Sequence, residues 1–127
     1  MAERSIDEFR ARRAADNERV LATDHLGVKR FFNLDTAAYR DATDKGGLPA
    51  ATKELLGLVA SLTLRCNDCV DYHMERCVDA GFAASEIEDA LHIGLIVGGS
   101  IVIPHLRHAY RSLDALVEAR GEAPESP

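Results

Sequence analysis

From Leu55 to Leu64 the chain reads LLGLVASLTL, ten residues without a charge. No strand period runs through the stretch, so it reads as a helix, and a helix that is apolar all round is buried. Two residues further on stands Cys66-Asn-Asp-Cys69, and His73 follows four residues after the second cysteine. A buried helix that runs straight into two cysteines and a histidine sets the frame for the rest of the chain.

Helix signals dominate on both sides of that segment. Ser5 and Glu8 have capping-box spacing and open a charged helix running to about Leu21. Its apolar content (Ile6, Phe9, Val20, Leu21) is thin, which places it at the edge of the fold or on a neighbouring subunit. A second helix is expected over Asp35 to Asp44, stopped by Gly46-Gly47, and Pro49 suits the first turn of the third. The fourth begins near Cys66 and ends at Gly81. Asp68, Asp71, Glu75 and Asp79 form its wet stripe, with Cys66, Cys69, His73 and Cys77 opposite, beside Val70 and Met74. Ser85 with Glu88 opens an apolar helix through Ile87, Leu91 and Leu95. Gly94, Gly98, Gly99 and Ser100 would let another helix approach it closely, and Pro104 kinks or breaks it. A last amphipathic helix carries Leu106, Tyr110, Leu113 and Val117 on one face. The expectation is an all-α bundle, one domain over 1–120 with a disordered tail over 121–127.

The chain has 127 residues, 46% hydrophobic and 28% charged, which suits one globular core with a solvated surface. A formal net charge of −6 and a pI near 5.3 argue against nucleic acid, whose phosphates need a basic face. Glu3, Arg4, Asp7 and Glu8 occupy the place where a secretory signal would be apolar. The longest apolar run, Ile93 to Pro104, falls well short of the ~20 residues of a bilayer span. No membrane partner and a cytoplasmic location are therefore expected. In a reducing compartment, a close pair among three cysteines points to catalysis or metal rather than to a structural bridge.

Both sulfurs and the His73 imidazole can converge, because residues three and four apart share a helix face. The partial positive charge of a helix N-terminus favours thiolate, the nucleophile of disulfide and peroxide chemistry, and a second cysteine three residues away is placed to resolve the first. If the third and fourth helices form an antiparallel hairpin turning near Arg65, Glu54 lies roughly 15 Å back from the turn and His73 roughly 12 Å along it. The carboxylate is then level with the imidazole. Glu54 would orient His73, and His73 would activate Cys69. Simpler readings stand beside this one. A C-x-x-C is half of many zinc sites, which His73 and Cys77 would have to complete. Cysteines also pack as small core residues, the reading preferred for Cys77, and Glu54 alone suits a first helical turn. His105 and His108, three apart, have metal-binding spacing but no third ligand nearby. His92 reads as a core histidine, and His25 carries no signal.

The spacing of Glu54, Cys66-x-x-Cys69 and His73, with GLPAATKELLGL before it and CVDAGFAASEIEDAL after it, resembles the signature of AhpD-like alkylhydroperoxidases of the carboxymuconolactone decarboxylase family. The resemblance covers roughly Phe31 to Leu116. It implies an all-helical, AhpD-like bundle assembled as a homotrimer or homohexamer. It also implies a peroxidase in which Cys69 attacks a hydroperoxide, Cys66 closes the disulfide, and Glu54 and His73 form the proton relay. Electrons would come from a dithiol partner, protein or lipoyl-like, with no bound cofactor or metal. One position departs from the pattern: Asp68 stands where these peroxidases carry a histidine before the second cysteine. A carboxylate there would raise the thiol pKa. Competing with the peroxidase are a general dithiol–disulfide oxidoreductase, a non-enzymatic redox- or metal-sensing oligomer, and a decarboxylase-like enzyme, against which the cysteine pair counts.

Overall fold

The computed structural model describes residues 5–121, and among them it contains six α-helices and no strand. They are α1 (Ile6–Leu21), α2 (Leu26–Ala38), α3 (Ala50–Thr63), α4 (Asn67–Asp79), α5 (Ala84–Gly98) and α6 (Ile103–Ala119), with short 3-10 turns at Thr43–Lys45 and Ser100–Val102. The fold is all-α, as expected. Apart from Gly121, the expected tail lies outside the described residues.

The centre is an antiparallel hairpin of α3 and α4, closed at Arg65. Cys66 N donates to Ser61 O at 3.0 Å and Arg65 N to Leu62 O at 2.9 Å, the paired bonds of a Schellman stop. Such a stop needs a left-handed residue, usually glycine; here Arg65 takes it, with φ 62°. Leu58 and Leu62 of α3, Val70, Met74 and Cys77 of α4, Ile87 and Leu91 of α5, and Leu113 and Leu116 of α6 make the core. Cys77 is part of it, as read from the sequence. Gly94 lets α5 approach α3, since a Cβ there would stand 3.0 Å from Leu62 Cδ2.

Helix α1 lies at the edge of the bundle. It starts where Ser5 Oγ accepts from Glu8 N at 3.0 Å, buries Phe9, and is tied to α4 by an Arg10–Glu75 ion pair at 2.6 Å.

Several expectations need correction. The second helix lies earlier than Asp35–Asp44. His25 Nδ1 caps its start by accepting from Val28 N, and Lys53 Nζ gathers the carbonyls of Ala38 and Arg40 at its end. Beyond Ala38, the Asp41 carboxylate accepts from Thr43 N and Oγ1, a local turn that competes with helix. Helix α5 is capped at Ala83, two residues before the expected Ser85, with Glu86 accepting from Ala83 N at 2.8 Å. It breaks at Gly99, φ +80°, rather than at Pro104, which sits in the first turn of α6 where no N–H is missed.

Helix α3 is not buried all round. Leu56 is 54% exposed and Leu64 77%, because the bundle covers one side of α3 and leaves the other open. Ile93, Ile96 and Val97 of α5, with Ile101 after it, are exposed as well. Among the described residues no helix is long and apolar enough to cross a membrane.

Candidate active site

Cys66 is the N-cap of α4, and its Sγ accepts from Cys69 N at 3.2 Å. The two cysteines form a disulfide, with Cα atoms 5.3 Å apart. Both sit in the first turn, where unsatisfied backbone N–H groups favour a thiolate once the bridge opens. Cys69 is exposed and Cys66 half-buried.

One turn along, His73 is buried against α3. Its Nδ1 lies 2.9 Å from Glu54 Oε1, on the first turn and a half of α3. A carboxylate accepts, so Nδ1 carries the hydrogen and Nε2 is left to face outward. Arg76 stands 3.8 Å from the other Glu54 oxygen. The hairpin register inferred from helix rise therefore places Glu54 beside His73.

Cys69 and His73 line one cavity of about 350 Å³ between α4, α1 and α2. Phe9, Arg12 and Arg13 of α1, Asp35 of α2, and Asp68 and Tyr72 complete much of its wall. Asp68 is exposed at this rim, as its place on the acidic stripe suggests. A second cavity of about 430 Å³ opens on the other side, where Glu54 meets Tyr39, Arg40 and Arg76. The His73–Glu54 pair thus spans the wall between these two cavities.

Sequence reasoning missed two members of this site. Tyr39 places its hydroxyl 3.4 Å from His73 Nε2 and its ring 5.3 Å from the imidazole. Burial, with Asp35 and Glu54 nearby, raises its pKa, so it stays a protonated hydroxyl. It falls just past the end of α2, inside the span first assigned to a helix, and no local pattern marks it. Gly57 is the second: a Cβ there would stand 2.8 Å from His73 Cε1. A glycine in the middle of an otherwise apolar helix was the available signal.

Other residues resolve differently. Asp71 leaves the acidic stripe: it is 2% exposed and accepts from His108 Nε2 at 2.9 Å and Ser112 Oγ at 2.5 Å. It lies on the flank of α4 that α6 covers, which a stripe drawn from charge alone does not register. His105 Nδ1 bonds Asn67 Oδ1 at 2.9 Å. His92 is exposed rather than core. His25 caps α2. Burial pushes the Cys77 thiol up to about 12, with Glu54 adding to the rise, so it stays a thiol. Among the described residues no group of three His, Cys, Asp or Glu side chains is arranged to hold a metal ion.

Comparison with known proteins identifies the family and the fold. The carboxymuconolactone decarboxylase family profile matches residues 28–112, well over half of the chain. The chain belongs to that family. A Thermotoga maritima family member, for which a role in antioxidative response has been suggested, is 50% identical. Its crystal structure superposes with a TM-score of 0.81 over 94% of this chain and 99% of that one. A second crystal structure of the same protein gives 52% identity and a TM-score of 0.84, over 90% and 96%. A family member from Legionella pneumophila shares the fold at 17% identity, with a TM-score of 0.77 over 87% and 96%. An uncharacterised Cupriavidus necator protein is 31% identical over 75 residues, 59% of this chain, and the chain spans 66% of that relative's length.

Proposed function

We propose that this chain is a thiol-dependent peroxidase acting through a Cys66/Cys69 dithiol–disulfide cycle. The observation that carries the reading is the shared cavity: exposed Cys69 opens onto the same space as His73, and His73 is paired with Glu54. Cys66 does not line that space, which suits the resolving role.

Once the disulfide is reduced, His73 accepts the Cys69 proton and Glu54 stabilises the imidazolium. The thiolate attacks the distal oxygen of a hydroperoxide, the O–O bond breaks, and the alkoxide leaves as alcohol with the proton returned by His73. Cys69 is now a sulfenic acid. The Cys66 thiol displaces its oxygen as water and closes the disulfide. A dithiol reductant, protein or lipoyl-like, attacks the disulfide and leaves oxidised, restoring both thiols. No cofactor or metal enters these steps. The likeness to the Thermotoga maritima protein, half identical in sequence, supports an antioxidative role.

The test is mass-spectrometric thiol counting before and after one equivalent of an organic hydroperoxide, then after a dithiol. Rapid Cys66–Cys69 bridging that the dithiol reverses is expected; unreactive thiols would overturn the reading. A second reading rests on exposed Asp68 beside Cys69, whose carboxylate opposes the thiolate. Bridging by disulfide donors but not by hydroperoxide would make the chain a general dithiol–disulfide oxidoreductase instead. A sensor would bridge without cycling.

The protein is also proposed to assemble as a homotrimer or homohexamer. Leu64, Ile96, Val97 and Ile101 are each more than 60% exposed, an apolar surface that further copies would cover. A monomeric mass by light scattering would sink this.

A further inference from the structure

Helix α4 carries a second set of hydrogen-bonded histidines, on the flank facing α6, that the peroxidase cycle does not use. His105 and His108 sit in the first two turns of α6. His105 Nδ1 meets Asn67 Oδ1 at 2.9 Å, and one turn further His108 Nε2 meets Asp71 Oδ1 at the same distance. Both rungs tie α6 to α4, but they grip different places. Asp71 lies well inside α4, where the backbone ladder already holds it. Asn67 is the residue directly after Cys66, within the C-x-x-C itself.

That turn follows the one non-glycine residue, among those described, with a positive φ. Cys66 is an extended N-cap (φ −103°, ψ 96°), and the residue before it, Arg65, is held left-handed without being glycine. The Cα atoms of Cys66 and Cys69 stand 5.3 Å apart, inside the range a disulfide spans. When the bridge is open, the Cys66 N–Ser61 O and Cys69 N–Cys66 Sγ bonds still hold this turn, and a further restraint from another helix would add to them. The Asn67 side chain, anchored to a helix 38 residues on, is such a restraint.

We infer that His105 is a positioning residue for the Cys66–Cys69 pair. By holding Asn67 it keeps the two thiols within bonding reach in the reduced state and so raises the effective concentration of one at the other. The inference rests on the pair being redox-active.

The experiment equilibrates the full chain with graded ratios of reduced and oxidised dithiothreitol, followed by acid quenching, alkylation and mass spectrometry. His105→Phe and Asn67→Ala should each disfavour the disulfide about five- to tenfold, roughly 20–30 mV for a two-electron couple. The double variant should shift no further, and His105→Gln, which can still donate to Asn67, should recover most of the loss. His108→Phe should lower the melting temperature and leave the redox midpoint in place. A His105→Phe midpoint within twofold of wild type would overturn the inference, and so would an equal shift in His108→Phe. Should His105→Phe fail to fold, Asn67→Ala, a change at a half-buried side chain, decides the matter. Failure of the underlying reading shows separately, as a wild-type pair that does not cycle at all; the inference then falls with it.

Discussion

Two histidine–carboxylate pairs flank α4, and they look alike until their surroundings are compared. His73–Glu54 and His108–Asp71 are both 2.9 Å apart, and both carboxylates are buried. Glu54 turns one oxygen to His73 and the other toward Arg76, while the far side of the His73 ring faces Tyr39 and the cavity of Cys69. Asp71 gives the same oxygen to His108 and to Ser112, joining α4 to α6. A histidine held by a carboxylate is therefore not by itself a relay. What distinguishes the first pair is that its outer face opens on space shared with a thiol, whereas the second is a tie between helices.

The comparison breaks most sharply at the nucleophile. Cys69→Ser should abolish hydroperoxide turnover, by about a thousandfold or more, with the melting temperature of the reduced wild type, because it removes the sulfur and touches neither pair. Retained turnover in a peroxide-consumption assay would refute the assignment of roles.

The next largest contrast lies between the pairs themselves. His73→Gln or Glu54→Gln should cost about 10²–10³ in turnover, the ordinary weight of general acid–base help. Asp71→Ala should leave turnover per folded molecule within about twofold yet destabilise by about 1–3 kcal/mol, since His108 and Ser112 would lose their acceptor. Parallel kinetics and denaturant titration check both. If the two carboxylate variants behaved alike, the distinction drawn here would be lost.

Gly57→Ala sharpens the same point from the backbone side. Its Cβ would stand 2.8 Å from His73 Cε1 and displace the ring from Glu54. Turnover should fall about tenfold, with a stability cost of about 1–3 kcal/mol from overpacking.

The smallest effect is alkaline. Burial holds the Cys77 thiol near 12 in the folded chain against 9.0 ordinarily. Between those values the unfolded chain gives up the proton and the folded chain keeps it, so stability falls as pH rises from about 9 toward 12. Cys77→Ala should flatten that slope in denaturant melts at pH 8 to 10.5, and Cys77 should resist alkylation while the fold holds.

Much of this was legible before any coordinates. The charge-free Leu55–Leu64 stretch, the capped start at Ser5 and the stop at Gly81 come from local rules of helix burial and capping, which act over a few residues. Helix rise alone put Glu54 level with His73, since two straight helices joined by a tight turn leave little freedom in register. The span of α2 was not legible, because its start is capped by a histidine and its end by Lys53, a side chain thirteen residues beyond one of the carbonyls it holds.

The sequence by itself determined that this is an all-helical chain of the carboxymuconolactone decarboxylase family, with Cys66 and Cys69 at the head of a helix and His73 one turn along. Each of those facts depends on spacing within a helix or across one turn. Tertiary structure alone decided that Tyr39 reaches His73, that Gly57 makes room for its ring, that Asp71 is buried and that His105 grips Asn67. These residues meet across 16 to 41 positions, through helix directions set by packing the whole core, and no local pattern encodes such a direction.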